Sequence, residues 1–180
     1  VGEDSNNPKD STMKTITLAA GVLAALLAGA APNRAADEPT YPNPALIIEP
    51  TLLAKPDVAK KFVILDARDS AKYKKSHIPQ ARWVDHALWA KTFDHGKDAE
   101  GWSKRIGDLG VSADTAVVVY DDSMSKDAAR IWWLLRYWGV ENVRLLNGGW
   151  TAWQAGQHPT DAGEVAVAAT RYTAKPQAAR

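Results

Sequence analysis

The stretch "VVVYDDSMSKDAARIWWLLRYWG", Val117 to Gly139, decides the fold. Val117 to Tyr120 is an unbroken apolar run of strand length, the pattern of a strand buried on both faces of a parallel sheet. Two carboxylates, Asp121 and Asp122, end it. After a short polar loop, Lys126 to Trp138 has helical spacing. Ala128, Ile131, Trp132, Leu135 and Trp138 share one face, and Gly139 closes the helix. Open α/β proteins bind ligands where the carboxyl end of a strand meets a helix, so the acidic pair marks the first candidate site.

The flanking sequence repeats this alternation. Leu46 to Ile48 is a short strand, and Pro50 suits the first turn of a short helix, where its missing N–H is no loss. "KFVILDAR" gives a second strand, Phe62 to Leu65, ending in Asp66. Asp69 and Ser70 can cap a helix running to Lys75. "SHIPQARWV" is a turn followed by a strand at Arg82 to Val84. Residues 98–109 form a helix closed by Gly110. "VRLLNGGW" is a strand entering a Gly-Gly turn, and Trp150 to Gln154 starts a last helix. Strands alternating with helices argue an α/β fold with a parallel sheet.

Composition narrows the chemistry. The chain has 180 residues, 46% of them hydrophobic, which suits one domain with a sizeable core. Lys and Arg number 22 against 21 Asp and Glu, a balance that gives no reason to expect nucleic acid or an anionic membrane as partner. Cysteine is absent, which excludes disulfides, thiolate metal sites and a thiol nucleophile in this chain.

The ends differ from the middle. Residues 1–12 are polar and read as a disordered or over-extended start. Met13 and Lys14 precede an apolar run, Ile16 to Ala31, and Ala28-Gly29-Ala30 is a small-x-small site. That is the pattern of a secretory signal peptide over residues 13–30. The run is shorter than the roughly 20 residues of a membrane span. A periplasmic or secreted protein, with no membrane span after cleavage, is therefore expected. Residues 31–45 read as a linker, 46–160 as the domain, and 161–180 as an extended, linker-like tail.

Three strands end in polar signatures on one sheet edge: Asp66-Ala67-Arg68, Asp121-Asp122 and Asn147-Gly148-Gly149. Clustered Asp at strand ends can hold magnesium or accept a phosphoryl group. The sequence lacks a phosphate-cradling glycine loop, however, and "DDSMS" lacks the alternating acid spacing of aspartyl phosphatases. The plainer alternative is that Asp66 and Asp121 pair with Arg68 or Arg130, or cap helices. His77, His86, His95 and His158 include no pair at zinc-binding helical spacing, so no metal is expected. Ser123 and Ser125 lack the flanking glycines of a nucleophile elbow.

Three stretches together resemble the rhodanese family: "VILDARDSAKYKKSHIPQA", "VVVYDDSMSKDAARIWWLLRYWG" and "VRLLNGGWTAW". The resemblance implies a small parallel sheet with helices on both faces, no cofactor, and transfer of sulfane sulfur from thiosulfate or 3-mercaptopyruvate to a thiophilic acceptor. The family carries that sulfur on a cysteine after the central strand, cradled by backbone N–H groups. Asp121 stands at that cysteine position. "VVVYDD" and "ARIWW" resemble the cysteine-free first repeat of two-domain sulfurtransferases.

The resemblance thus implies a retired site in which Asp121 fills the old anion cradle. The loop Asp122 to Asp127 is longer than the family's, and is not expected to aim its N–H groups at a sulfur atom. In mercaptopyruvate-type members an acid and a His of the first repeat reach the second repeat's site, and Asp66 and His77 match them.

A second, cysteine-containing repeat is then the expected partner. Arg130, Trp133 and Tyr137, on the helix face away from the core, are the expected contact. A loop of the same domain is the alternative cover. The rival functional reading is a stand-alone, cysteine-less rhodanese-like binding or regulatory module.

Overall fold

The computed structural model describes residues 41–177. The polar start, the signal segment and residues 31–40 of the expected linker lie outside the described residues, as do residues 178–180. No helix among the described residues is long and apolar enough to cross a membrane.

Among the described residues five strands form one parallel sheet: β1 (Ile47–Ile48), β2 (Phe62–Asp66), β3 (Arg82–Trp83), β4 (Ala116–Tyr120) and β5 (Val143–Leu146). Their spatial order is β1-β5-β4-β2-β3. β4 is central, and the register sets Asp66 beside Tyr120 and Val119 beside Leu145. Leu46, expected in the first strand, lies instead in a 3-10 turn, Pro44–Leu46, opened by Pro44.

Among the described residues seven helices flank the sheet: α1 (Pro50–Leu53), α2 (Pro56–Ala59), α3 (Ser70–Lys75), α4 (His86–Thr92), α5 (Ala99–Asp108), α6 (Lys126–Tyr137) and α7 (Gly149–Ala155). The two sheet faces have separate cores. Val117 and Val119 of β4 pack with Trp89, Trp102, Ile131, Leu135 and Trp138 on one side. Val118 and Tyr120 pack with Leu53, Ile78, Trp150 and Trp153 on the other. Alternate residues of a strand point to opposite faces, so a continuous apolar run satisfies both cores at once.

Two helices were not expected. α2 is a single turn opened by Pro56, and α4 is capped by the Asp85 carboxylate, which accepts from Leu88 N–H at 2.9 Å. Of α4, only Trp89 is buried, and its ring meets Trp102 edge to face at 5.1 Å. One buried residue in seven leaves no periodic signal.

The described parts of the segments expected as linkers, 41–45 and 161–177, are tied down. From Tyr41 on, the chain is held: Asn147 Nδ2 donates to Tyr41 Oη at 3.0 Å and to Glu49 Oε1 at 2.9 Å. The tail 161–177 has no regular helix or strand, yet it is a docked strap. Asp161 and His77 exchange backbone hydrogen bonds, and Gly163 N–H donates to Lys74 O. Thr170 N–H donates to Gly107 O, Lys175 N–H to Trp138 O and Gln177 N–H to Tyr137 O. Tyr172 is buried, with its hydroxyl donating to Trp138 O at 2.8 Å. The strap satisfies its backbone on helix ends rather than on a sheet edge, so its sequence shows no strand or helix period.

Candidate functional site

β4 delivers Asp121 to the carboxyl edge of the sheet, beside the ends of β2 and β5. The next four residues turn sharply, with Met124 and Ser125 both in the left-handed region at φ 55° and 63°. This turn aims four backbone N–H groups at one carboxylate. Oδ1 accepts from Ser123 at 3.0 Å and Ser125 at 2.9 Å. Oδ2 accepts from Asp127 at 2.8 Å and Ala128 at 2.9 Å. The Ser123 hydroxyl adds a fifth bond to Oδ2, at 3.0 Å.

Ser125, at the N-cap of α6, makes no capping bond, so Asp121 satisfies the helix's first free donors from the strand end. Asp121 is only 2% exposed. Burial alone would raise its pKa. The hydrogen bonds from Ala128, Ser123 and Ser125 outweigh that and hold the carboxyl below the usual carboxylate range. The loop Asp122 to Asp127 was expected not to aim its N–H groups at a sulfur atom, and the split between Oδ1 and Oδ2 agrees with that. Its N–H groups converge on one carboxylate but divide between two oxygens rather than meeting at one atom.

The Gly-Gly turn closes over this cradle. Trp150 N–H donates to Asp121 O at 2.8 Å, and Gly149 at φ 55° packs so closely on that carbonyl that a Cβ would collide with it. The three polar strand ends thus meet, as their parallel register requires.

Asp66 lies one strand over and is fully buried. Arg68 holds it through Nε, at 3.0 and 3.1 Å, and through Nη2 at 2.6 Å. The Tyr120 hydroxyl donates to Asp66 Oδ2 at 2.5 Å, and burial, with the adjacent carboxylate, pushes the Tyr120 pKa far up. Arg68 is 4% exposed, and its guanidinium lies 4.0 Å over the Trp150 ring. Burial opposes its charge, but Asp66 outweighs that and raises its pKa further. The partner of Asp66 is therefore Arg68, not Arg130.

His77 is also fully buried, stacked on Tyr73 at 4.3 Å between ring centres. Its Nδ1 lies 2.9 Å from Tyr73 O, and a carbonyl only accepts, so Nδ1 carries the proton. Nε2 has no partner among the described residues. Asp66 and His77 thus present no surface to solvent.

The other candidates lie apart. Asp122 is paired with Lys72 at 2.7 Å. His86 lies 3.7 Å from Asp127, and His158 leans on Trp153. Among the described residues no group of three or more His, Asp or Glu could hold a metal ion. On the outer face of α6, Arg130 is exposed and Trp133 is 43% exposed. Trp133 stacks on Tyr137 at 5.3 Å, and Phe93 meets both rings edge to face. The domain's own loop thus covers Tyr137 and one edge of Trp133.

A parallel sheet in this order, with helices on both faces and an N–H cradle after its central strand, is the rhodanese fold. Residues 49–156 match the rhodanese-like domain, and the chain belongs to that family. It is 34% identical over 122 residues to the thiosulfate sulfurtransferase of Azotobacter vinelandii, a match covering 63% of this chain and 44% of that one. It is 38% identical over 93 residues to the thiosulfate sulfurtransferase of Bos taurus, covering 48% of this chain and 31% of that one. The crystal structure of SseA from Escherichia coli, described with the fold and mechanism of 3-mercaptopyruvate sulfotransferases, superposes with a TM-score of 0.63 at 26% identity. That match covers 73% of this chain and 55% of SseA. The chain spans less than half the length of the curated relatives it matches.

Proposed function

We propose that this chain is the non-catalytic rhodanese repeat of an exported sulfurtransferase, one that moves sulfane sulfur from thiosulfate or 3-mercaptopyruvate to a thiophilic acceptor. The Asp121 carboxylate carries the reading. Four backbone N–H groups and one hydroxyl converge on it, an arrangement that elsewhere in the family stabilises a sulfur anion. A carboxylate satisfies such a cradle permanently but cannot carry sulfane sulfur, and the sequence holds no cysteine to do so. A second, cysteine-containing repeat supplies the chemistry. The relatives' greater length supports this, and the signal pattern of residues 13–30 supports export to the periplasm.

The test is thiocyanate release from thiosulfate and cyanide by the purified chain, beside the full-length gene product. The chain alone is expected to stay at background while the longer protein turns over. Robust turnover by the chain alone overturns the reading.

A further inference from the structure

Asn147 is the only asparagine of the chain that precedes a glycine. It and Gly148 are exposed in the turn between β5 and α7, open to water and solvent base. Gly148 has no side chain to shield its backbone nitrogen, and its N–H makes no hydrogen bond among the described residues. The Asn147 amide also fastens the arm Tyr41 to Glu49. Nδ2 donates to Tyr41 Oη at 3.0 Å and to Glu49 Oε1 at 2.9 Å, while the Tyr41 hydroxyl itself donates to Glu49. A carboxylate only accepts, so nitrogen is the amide atom that faces Glu49. Along β5 the arm adds only the pairs Ile47–Leu145 and Ile48–Leu146 and the bond from Asn147 N–H to Ile48 O.

We infer that Asn147 is a self-modification site whose deamidation unfastens this arm. The Gly148 nitrogen, having lost its proton to solvent base, attacks Asn147 Cγ. The new C–N bond closes a succinimide, and Nδ2 takes up a proton and leaves as ammonia. Water then opens the ring at either carbonyl and yields aspartate or isoaspartate. Both reacting groups belong to one turn, so no second reactant has to be gathered before the ring closes. The product puts a carboxylate where a donor faced Glu49, and two like charges at that range repel. The two bonds from Nδ2 meanwhile hold the side chain on the arm. Opening of the arm therefore speeds the reaction, and the product keeps the arm open, so the release runs one way. The inference does not rest on the sulfurtransferase reading, since it uses none of the groups that cradle Asp121.

The full chain is aged at mildly alkaline pH, and residue 147 is followed by peptide mass spectrometry. Asn147 is expected to convert to aspartate and isoaspartate ahead of every other asparagine. Tyr41→Phe should speed this about threefold, the weight of one lost hydrogen bond. Asn147→Asp supplies the product without ageing. Amide exchange over residues 45–49 should rise about tenfold in it while β4 stays protected, which shows that the fold survives. Adding Glu49→Gln removes one of the like charges and should reverse most of that rise. Conversion with no preference for Asn147 overturns the inference. So does exchange over 45–49 that ignores Asn147→Asp, and so does a rise that Glu49→Gln leaves in place.

Discussion

The Arg68 guanidinium lies 4.0 Å over the Trp150 ring while two of its nitrogens grip the buried Asp66 carboxylate. One side chain thus joins the end of β2 to α7 across the sheet edge. Removing it leaves Asp66 as an uncompensated buried charge. Arg68→Met is expected to cost about 3–5 kcal/mol by urea denaturation. Adding Asp66→Asn should recover part of that loss, because the stranded charge disappears. A single-variant cost below about 1 kcal/mol would show that the pair is not what holds the strand end.

Asp121 makes an acid-side prediction. Its pKa is lowered in the folded chain, so the unfolded chain binds the proton more tightly. The stability it contributes is complete above the ordinary carboxylate pKa of about 3.9, and is lost as pH falls through the lower folded value. Asp121→Asn should cost about 2–3 kcal/mol at neutral pH, because its amide cannot accept from both pairs of N–H groups. It should also flatten the stability profile below pH ~4. A variant profile parallel to the wild type in that range would remove Asp121 from the account.

Asp121→Cys separates two properties of the cradle. Surrounding N–H groups should lower the thiol pKa below the free value of about 8.5, readable from thiolate absorbance against pH. Sulfur transfer should nonetheless remain near background. The donors are divided between two oxygen positions, and misplacement of about 1 Å can cost on the order of 100-fold in rate. A thiol titrating at or above the free value would show that the N–H groups do not act on that atom.

Tyr172 makes an alkaline prediction. Burial pushes its pKa up to about 12. A raised value means its stabilisation is complete below the unfolded pKa of about 10 and is lost as pH rises toward 12. Tyr172→Phe should cost about 1 kcal/mol at neutral pH through the lost bond to Trp138 O. It should also reduce the loss of stability between pH ~10 and ~12, leaving the share that Tyr120 carries. Unchanged stability at both pH values would mean that the strap does not hold the domain.

Trp133→Ala should destabilise the chain by about 1 kcal/mol. That is well below the ~3–5 kcal/mol of a fully buried Trp, because the residue is 43% exposed, with Phe93 and Tyr137 against its ring. A full-sized cost in the chain alone would place its cover entirely within the domain. A larger cost in the two-repeat protein proposed above than in the chain would point to a partner on that face.

The β4–α6 unit was readable because its two periods are pure: four successive apolar residues, then a helical stripe. Asp121 was readable as an anion at a helix start for the same reason. The Arg68–Trp150 contact was not, since it joins residues 82 positions apart and neither lies on a patterned face. α4 escaped because Trp89 alone of its residues is buried. The strap escaped because its hydrogen bonds go to helix ends, which impose no repeat on the donor's sequence. Phe93, which covers Tyr137, sits in a turn where a lone aromatic says nothing about its neighbour.

Of the five described strands β1 is synthesised first, and it must wait for β5 before it has a partner, since Ile47 pairs with Leu145. At 5–20 residues per second, the roughly 100 residues between them take on the order of 5–20 s to make. Through that interval β1 is an unpaired edge, the kind of segment on which nascent chains stick to one another. Its length of two residues, led by Pro44 and followed by Glu49 and Pro50, offers a neighbouring nascent chain almost nothing to pair with. The strand that waits longest for its partner is thus one of the two shortest in the sheet.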